Sequence, residues 1–163
     1  MQSKEQTRRQ FCTNTCRAAS VAALGAALAT ILESCGGAGG GPTFAGGVNL
    51  SALPLVTGTS SNGAIAVTID GASPLATAGA AALVRSPIGD VLVARTGQDS
   101  FTALSSTCTH QACEITGWAG NAFVCPCHGS AFDTSGKVLN GPAFSPLRQF
   151  ATQFAGGTLT ISG

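Results

Sequence analysis

The 163 residues include no tyrosine, two histidines, one tryptophan and one methionine, and only 9% of them are charged. Each scarcity removes a class of function. From Gly36 onward four basic residues (Arg85, Arg95, Lys137, Arg148) stand against five acidic ones (Asp70, Asp90, Asp99, Glu114, Asp133). A nearly neutral domain of this kind offers no electrostatic footprint for nucleic acid. Both imidazoles lie beside cysteines, so no base is left to activate Ser105 or Ser106, and serine-hydrolase chemistry is excluded. After the N-terminal region no segment reads as a helix, and no internal repeat is present.

Glycine, by contrast, is abundant, at 22 residues. Many small side chains and frequent turns suit compact β structure rather than a helical bundle. The length allows one domain plus a leader. Ala64 to Ile69 alternates large apolar with small or polar residues, the period of a half-buried strand, and Asp70-Gly71 ends it. Ala82–Arg85 and Val91–Arg95 flank a turn-rich connection and predict a hairpin. Phe101 to Leu104 predicts a further strand. Glu114–Trp118 and Ala122–Val124, joined through Gly120, predict a second hairpin. Leu147–Phe154 and Thr158–Ile161, joined by Ala155-Gly156-Gly157, predict a third. Trp118 reads as packing within the second hairpin, and Asp133 and Lys137 as solvated residues beside a turn. Regular short strands with frequent turns predict an antiparallel β sandwich over residues 48–163.

Two short cassettes hold the chemistry: Cys108-Thr109-His110-Gln111-Ala112-Cys113 and Cys125-Pro126-Cys127-His128-Gly129-Ser130. Together they contain both histidines and four of the seven cysteines. Thiolate and imidazole are ligands of zinc and of iron–sulfur clusters. Each cassette offers one Cys/His pair and has one cysteine left over. Cys108, His110, Cys125 and His128 are the candidate ligands.

The pattern C-T-H-x-x-C followed by C-P-C-H-G-S resembles the Rieske family, in the disulfide-bearing branch found in quinol–cytochrome c reductases. With Gly141-Pro142-Ala143 it covers about the last third of the chain. The resemblance implies a [2Fe-2S] cluster held by Cys108 and Cys125 on one iron and by His110 and His128 on the other. It leaves Cys113 and Cys127, read as matching places in the two loops, for a disulfide that pins one loop to the other. It also implies an all-β Rieske-type sandwich with both loops at one tip, and a proline loop, Gly141-Pro142-Ala143, that covers the cluster. In high-potential members a serine donates a hydrogen bond to a bridging sulfide, which maps to Ser130. A tyrosine two residues later donates to a ligand cysteine, and Phe132 stands at that position. The expected potential is therefore below that of tyrosine-bearing relatives. Neutral imidazoles in place of two thiolates raise the potential above that of an all-cysteine cluster. Reduction also favours protonation of the outer histidine nitrogens, which couples electron to proton uptake.

The N-terminus reads as a separate unit. Thr7-Arg8-Arg9-Gln10-Phe11 resembles the twin-arginine signal of the Tat export route. The uncharged run Ala18 to Leu32 is 15 residues long, short of the about 20 that span a bilayer. Residues 1–35 are thus expected to be a helical signal or membrane anchor. Leu32-Glu33-Ser34-Cys35 resembles a lipoprotein box with Glu33 departing from it, so cleavage, lipidation at Cys35 and retention as an anchor all stay open. Cys12 and Cys16 receive no role. Residues 36–47 hold seven glycines in twelve positions and read as a flexible tether.

Together these readings predict an exported, membrane-tethered one-electron carrier on the periplasmic or outer face. The first expectation is the iron–sulfur subunit of a quinol–cytochrome c oxidoreductase, partnered by quinol, cytochrome b and a c-type cytochrome. An alternative is a small Rieske relay subunit of another exported oxidoreductase, such as arsenite oxidase, serving a large catalytic subunit. The different-class alternative is a structural zinc module on the same four ligands. A third class is a Rieske oxygenase or its ferredoxin; the family resemblance implies that those are cytoplasmic and usually lack the spare cysteine pair, and no residues remain here for an oxygenase's mononuclear iron. In each redox reading the chain is an electron-transfer subunit rather than a self-sufficient catalyst.

Overall fold

The computed structural model describes residues 50–163. The expected signal or anchor (1–35), with Cys12, Cys16 and Cys35, and the expected tether (36–47) lie outside the described residues. The described chain is all-β. Its strands are β1 (Ser51–Ala52), β2 (Leu55–Thr57), β3 (Thr59–Ser61) and β4 (Ala64–Thr68). Then come β5 (Ala81–Arg85), β6 (Val91–Arg95), β7 (Phe101–Ser105), β8 (Gly117–Trp118) and β9 (Ala122–Val124). The last four are β10 (Ala131–Asp133), β11 (Val138–Asn140), β12 (Gln149–Ala155) and β13 (Thr158–Ser162). A small sheet runs β1-β8-β9-β10-β11, and a large one runs β2-β5-β6-β7-β12-β13-β4-β3.

The large sheet closes on itself. β2 and β3 stand at opposite ends of its order, yet a single residue, Gly58, separates them in the chain. Gly58 donates its N–H to Arg85 O at 2.8 Å, continuing the β2–β5 pairing, while β3 pairs with β4. A Cβ on Gly58 would lie 2.6 Å from Ile65 Cγ2 and 3.1 Å from Val84 Cγ1. The seam therefore requires glycine on steric grounds, with the backbone of one edge pressed against side chains of both neighbours.

Closure makes two cores. The barrel interior gathers Ile65, Val67, Leu75, Val84, Val91, Val93, Phe101, Leu159 and Ile161. A second core, between the barrel wall and the small sheet, gathers Leu83, Leu92, Leu104, Ile115, Phe123, Phe132, Cys108 and Cys125. β5 and β6 form the shared wall, which explains why Ala81–Val84 and Val91–Ala94 are buried without interruption. A strand with apolar neighbours on both faces has no need to alternate.

All three expected hairpins form, as β5–β6, β8–β9 and β12–β13. Two boundaries move by more than one residue. Leu147 and Arg148 precede β12. Glu114–Thr116 stay out of β8, because Ile115 donates to Ser106 O and Glu114 bridges Thr107, which commits the segment to the run leaving β7. The sandwich also departs from strict antiparallel pairing, since β2 runs parallel to β5 at the seam. Asp133 is half-buried rather than solvated. Its carboxylate accepts from Ser135 N, Ser135 Oγ and Lys137 N and closes the β10–β11 turn. Burial opposes its ionisation, but these donors outweigh burial and hold the carboxyl below its ordinary range. Trp118 packs on Phe123 with ring centroids 4.9 Å apart.

Arg95 works as an internal pin. Its guanidinium donates to the carbonyls of Leu75, Ala76, Gly97 and Gln98 and lies over the rings of Phe101 and Phe154. Those contacts fix the 70–80 connection across the barrel end without any carboxylate partner for Arg95 among the described residues.

Candidate metal centre

The two cassettes grow from different sheets. The first leaves β7 of the barrel, and the second joins β9 to β10 of the small sheet. Each closes on the same backbone frame. Cys108 N donates to Cys113 O at 2.8 Å and Ala112 N to Cys108 O at 2.9 Å. Cys125 N donates to Ser130 O at 2.8 Å and Gly129 N to Cys125 O at 3.0 Å. The frame demands a left-handed residue at its fifth place, filled by Ala112 (φ 54°) and Gly129 (φ 77°). For alanine this conformation costs about 1–2 kcal/mol, and the surrounding hydrogen bonds hold it in place.

Superposed by this frame, Cys108 matches Cys125, but the other functional residues do not coincide. His110 matches Cys127, and Cys113 matches Ser130. The expectation that Cys113 and Cys127 occupy matching places is thereby corrected: one sits at the end of its loop, the other near the middle. The backbone register is set by which amides close the turn, and residue spacing alone does not reveal it. The structure does join Cys113 to Cys127, with Cα atoms 6.6 Å apart.

Cys108 and Cys125 are free and buried, at 2% and 1% exposure. The sulfurs of Cys113, Cys125 and Cys127 lie within 4.8 Å of one another, but the bridge occupies two of the three, so they do not form a three-thiolate site. Burial pushes the Cys125 thiol up. The Cys127 and His128 amides pull it down, and the adjacent Cys108 side chain pushes it up further. The His110 and His128 rings stand edge to face with centroids 4.9 Å apart. His110 Nδ1 is buried with no hydrogen-bond partner. His128 is exposed, and His110 partly so.

A buried imidazole nitrogen without a partner is expensive to leave as it stands, and it lies on the same cassette as one of two buried free thiols. A cationic group bound by two thiolates and two imidazoles removes the cost. The donor set therefore fits a cluster with mixed sulfur and nitrogen ligation.

A third loop leans on both cassettes. Ser130, fully buried, accepts the Ala143 N–H at 3.0 Å. Asn140 Nδ2 donates to Gly129 O at 3.1 Å, and Thr109 Oγ1 donates to Ser145 O at 2.6 Å. Gly141, Pro142 and Ala143 are thus set against the cassettes. Phe144 beside them is 86% exposed and Leu139 56%. Residues 108–113, 125–130 and 139–146 include no Asp, Glu, Lys or Arg. Phe132 is fully buried in the core that holds Cys108 and Cys125. Sequence reasoning did not single out Thr109 or Asn140. Their only signal is proximity to motif residues, and their partners lie 36 and 11 residues away.

A family profile described as "Rieske [2Fe-2S] domain" matches residues 71–151. The cytochrome b6-f complex iron-sulfur subunit of Chlorobaculum thiosulfatiphilum is 37% identical over 65 residues, which are 39% of this chain and 35% of that protein. The subunit of the same description from Prochlorococcus marinus is 43% identical over 70 residues, 40% of this chain and 39% of that protein. The chain thus spans well under half the length of these curated relatives. Among solved structures, the plasma membrane Rieske protein of the cyanobacterium Synechocystis is 37% identical. That match covers 51% of this chain and 86% of that one, with a TM-score of 0.46.

Proposed function

The chain belongs to the Rieske [2Fe-2S] family, and we propose that within it the protein is an exported one-electron carrier, the iron–sulfur subunit of a quinol–cytochrome c type oxidoreductase. Its cofactor is a Rieske [2Fe-2S] cluster. Cys108 and Cys125 would hold one iron and His110 and His128 the other, while the Cys113–Cys127 bridge keeps the two cassettes together. When bound, the cluster supplies a one-electron couple. The single observation that supports the reading is a pair of buried free thiols, Cys108 and Cys125, in contact with each other, on the same two cassettes whose His110 and His128 rings meet edge to face.

The remaining roles belong to the chain's own residues. The outer nitrogens of His110 and His128 hold the proton that accompanies the electron. Ser130 has its hydroxyl oxygen engaged by the Ala143 amide, which leaves the hydroxyl hydrogen to point elsewhere, and it serves as a donor to sulfur. The uncharged tip with exposed Leu139 and Phe144 suits contact with an apolar, membrane-held partner such as a cytochrome b carrying quinol. Export by a Tat-like route, with residues 1–35 as signal or anchor and 36–47 as tether, completes the proposal.

A second reading has its own support. Only the short β8–β9 hairpin links the cassettes, eleven residues from 114 to 124. That leaves no docking insertion and suits a compact relay for a large exported oxidoreductase. Potentiometric titration of the cluster-loaded protein, read by EPR at several pH values, separates the readings. A rhombic signal with a positive potential that falls as pH rises supports quinol oxidation. The same signal with a potential near or below zero supports the relay. A flat profile between about pH 6 and about pH 10 removes the proton-coupled role. Stoichiometric zinc with no cluster signal overturns both readings.

Phe132→Tyr tests the tuning. The ring already lies in the core shared with Cys108 and Cys125, and the resemblance implies that a phenol hydroxyl at this place donates to a ligand cysteine. A hydrogen bond about 1–1.5 kcal/mol stronger in the reduced state raises a one-electron potential by about 40–60 mV. An unchanged or lowered potential refutes this account.

A further inference from the structure

Arg85 has no part in the donor set, yet it reaches the cassette. It is the last residue of β5. Its Nη2 donates to Glu114 Oε2 at 2.8 Å and its Nη1 to Glu114 Oε1, a two-pronged grip on one carboxylate. The same Nη1 also contacts Asp90, whose second oxygen accepts the Ser86 amide and closes the β5–β6 turn. Glu114 is the residue after Cys113. Beneath it, Ser106 Oγ donates to Asp90 O at 3.0 Å, and Ile115 N donates to Ser106 O at 2.8 Å. Both segments at the base of the first cassette are therefore moored to one turn of the barrel, while the second cassette belongs to the other sheet.

We propose that Arg85 is a positioning residue. By holding Glu114 against the β5–β6 turn, it fixes where the cassette of Cys108 and His110 stands relative to the cassette to which it is bridged. The functional weight of this rests on the cluster reading above; the clamp itself does not. The side chains of Arg85 and Glu114 are 43% and 38% exposed. Exposed pairs contribute little to global stability, but a planar fork on a carboxylate fixes direction as well as distance. Removing the arginine also leaves Asp90 and Glu114, two like charges on neighbouring loops, without the cation that joins them.

The test uses full-length, cluster-loaded protein and follows reduction of the Cys113–Cys127 bridge by a dithiol, together with the EPR signal. Arg85→Ala and Glu114→Gln are each expected to speed bridge reduction about fivefold and to shift the g values, with the melting temperature nearly unchanged. Because both remove one contact, the double variant is expected to be no faster than the faster single. Arg85→Lys keeps the charge and loses the fork, so it should fall between parent and alanine. Parent-like reduction in either single variant overturns the proposal, as does a double-variant rate equal to the product of the singles. If Arg85→Ala fails to fold, Glu114→Gln and Arg85→Lys decide. Coupled rates in a protein that takes up no cluster would keep the clamp and sink the cluster reading. A normal cluster with uncoupled rates would do the reverse.

Discussion

Cys125→Ser is expected to give a folded, colourless protein that has lost the visible absorption and the EPR signal completely, whereas Cys127→Ser is expected to start coloured and bleach. The first residue is buried at 1%, set beside Cys108 between β9 and β10. Serine nearly reproduces its shape, and the cost of placing a hydroxyl there is about 1–3 kcal/mol, too little to unfold most domains. What serine cannot do is ionise at neutral pH, so one of the two thiolates is gone. Cys127 is exposed and bonded to Cys113 across 14 residues. Opening a loop of that size removes about 3 kcal/mol of constraint, or up to about a hundredfold in the population of splayed cassettes. Iron content, absorption and EPR, followed over hours, read the difference. Full iron with an unaltered spectrum in Cys125→Ser would remove it from the ligand set. A Cys127→Ser protein colourless from the start would mean that the bridge is needed for loading, not for retention.

Gly58→Val is expected to lower the melting temperature by more than about 10 °C, the equivalent of about 3 kcal/mol or more. The Cβ alone falls 2.6 Å from Ile65 Cγ2 and 3.1 Å from Val84 Cγ1, on residues that are buried, at 5% and 0% exposure. Neither can swing into solvent, so relief has to come from the backbone, and the backbone at this point is the closure of the barrel. Gly71→Ala is the control. A Cβ there meets nothing within 4 Å and no left-handed φ is involved, so stability should hold or rise slightly. Calorimetry of the three proteins decides. A Gly58→Val melt within about 2 °C of the parent would show that the seam has slack.

The parts of this fold that could be read from sequence are those whose partners are near in the chain. The β5–β6 and β12–β13 hairpins announce themselves as apolar runs joined by Ser86-Pro87-Ile88-Gly89-Asp90 and by Gly156-Gly157. The seam does not. Leu55–Ser61 carries no usable period, and its pairing with β5 and β4 depends on a closure that only tertiary packing creates. β10 and β11 are hidden differently: Phe132 reads as a tuning position, yet it is also a strand residue paired with Phe123 and Val138. At the site, the residue types of Cys108, His110, Cys125 and His128 point to metal chemistry by themselves. The loop frame that holds them does not follow from their spacing. Two cassettes closed by identical amide contacts carry their histidines one step apart, because the frame is set by which residue accepts a left-handed turn. Arg85 was invisible for the plainest reason, being one arginine at the end of a strand, with its partner 29 residues on.

The shared wall gives β6 a double address. Leu92 and Ala94 point into the core of the cassettes, and Val91 and Val93 into the barrel. Parity of residue number on a single strand therefore separates two dials. Even positions pack in the core that holds Cys108 and Cys125, and odd positions pack inside the barrel. A substitution at Val93 is therefore met first by barrel side chains and one at Leu92 by the side chains around Cys108 and Cys125, although the two positions are neighbours in the chain.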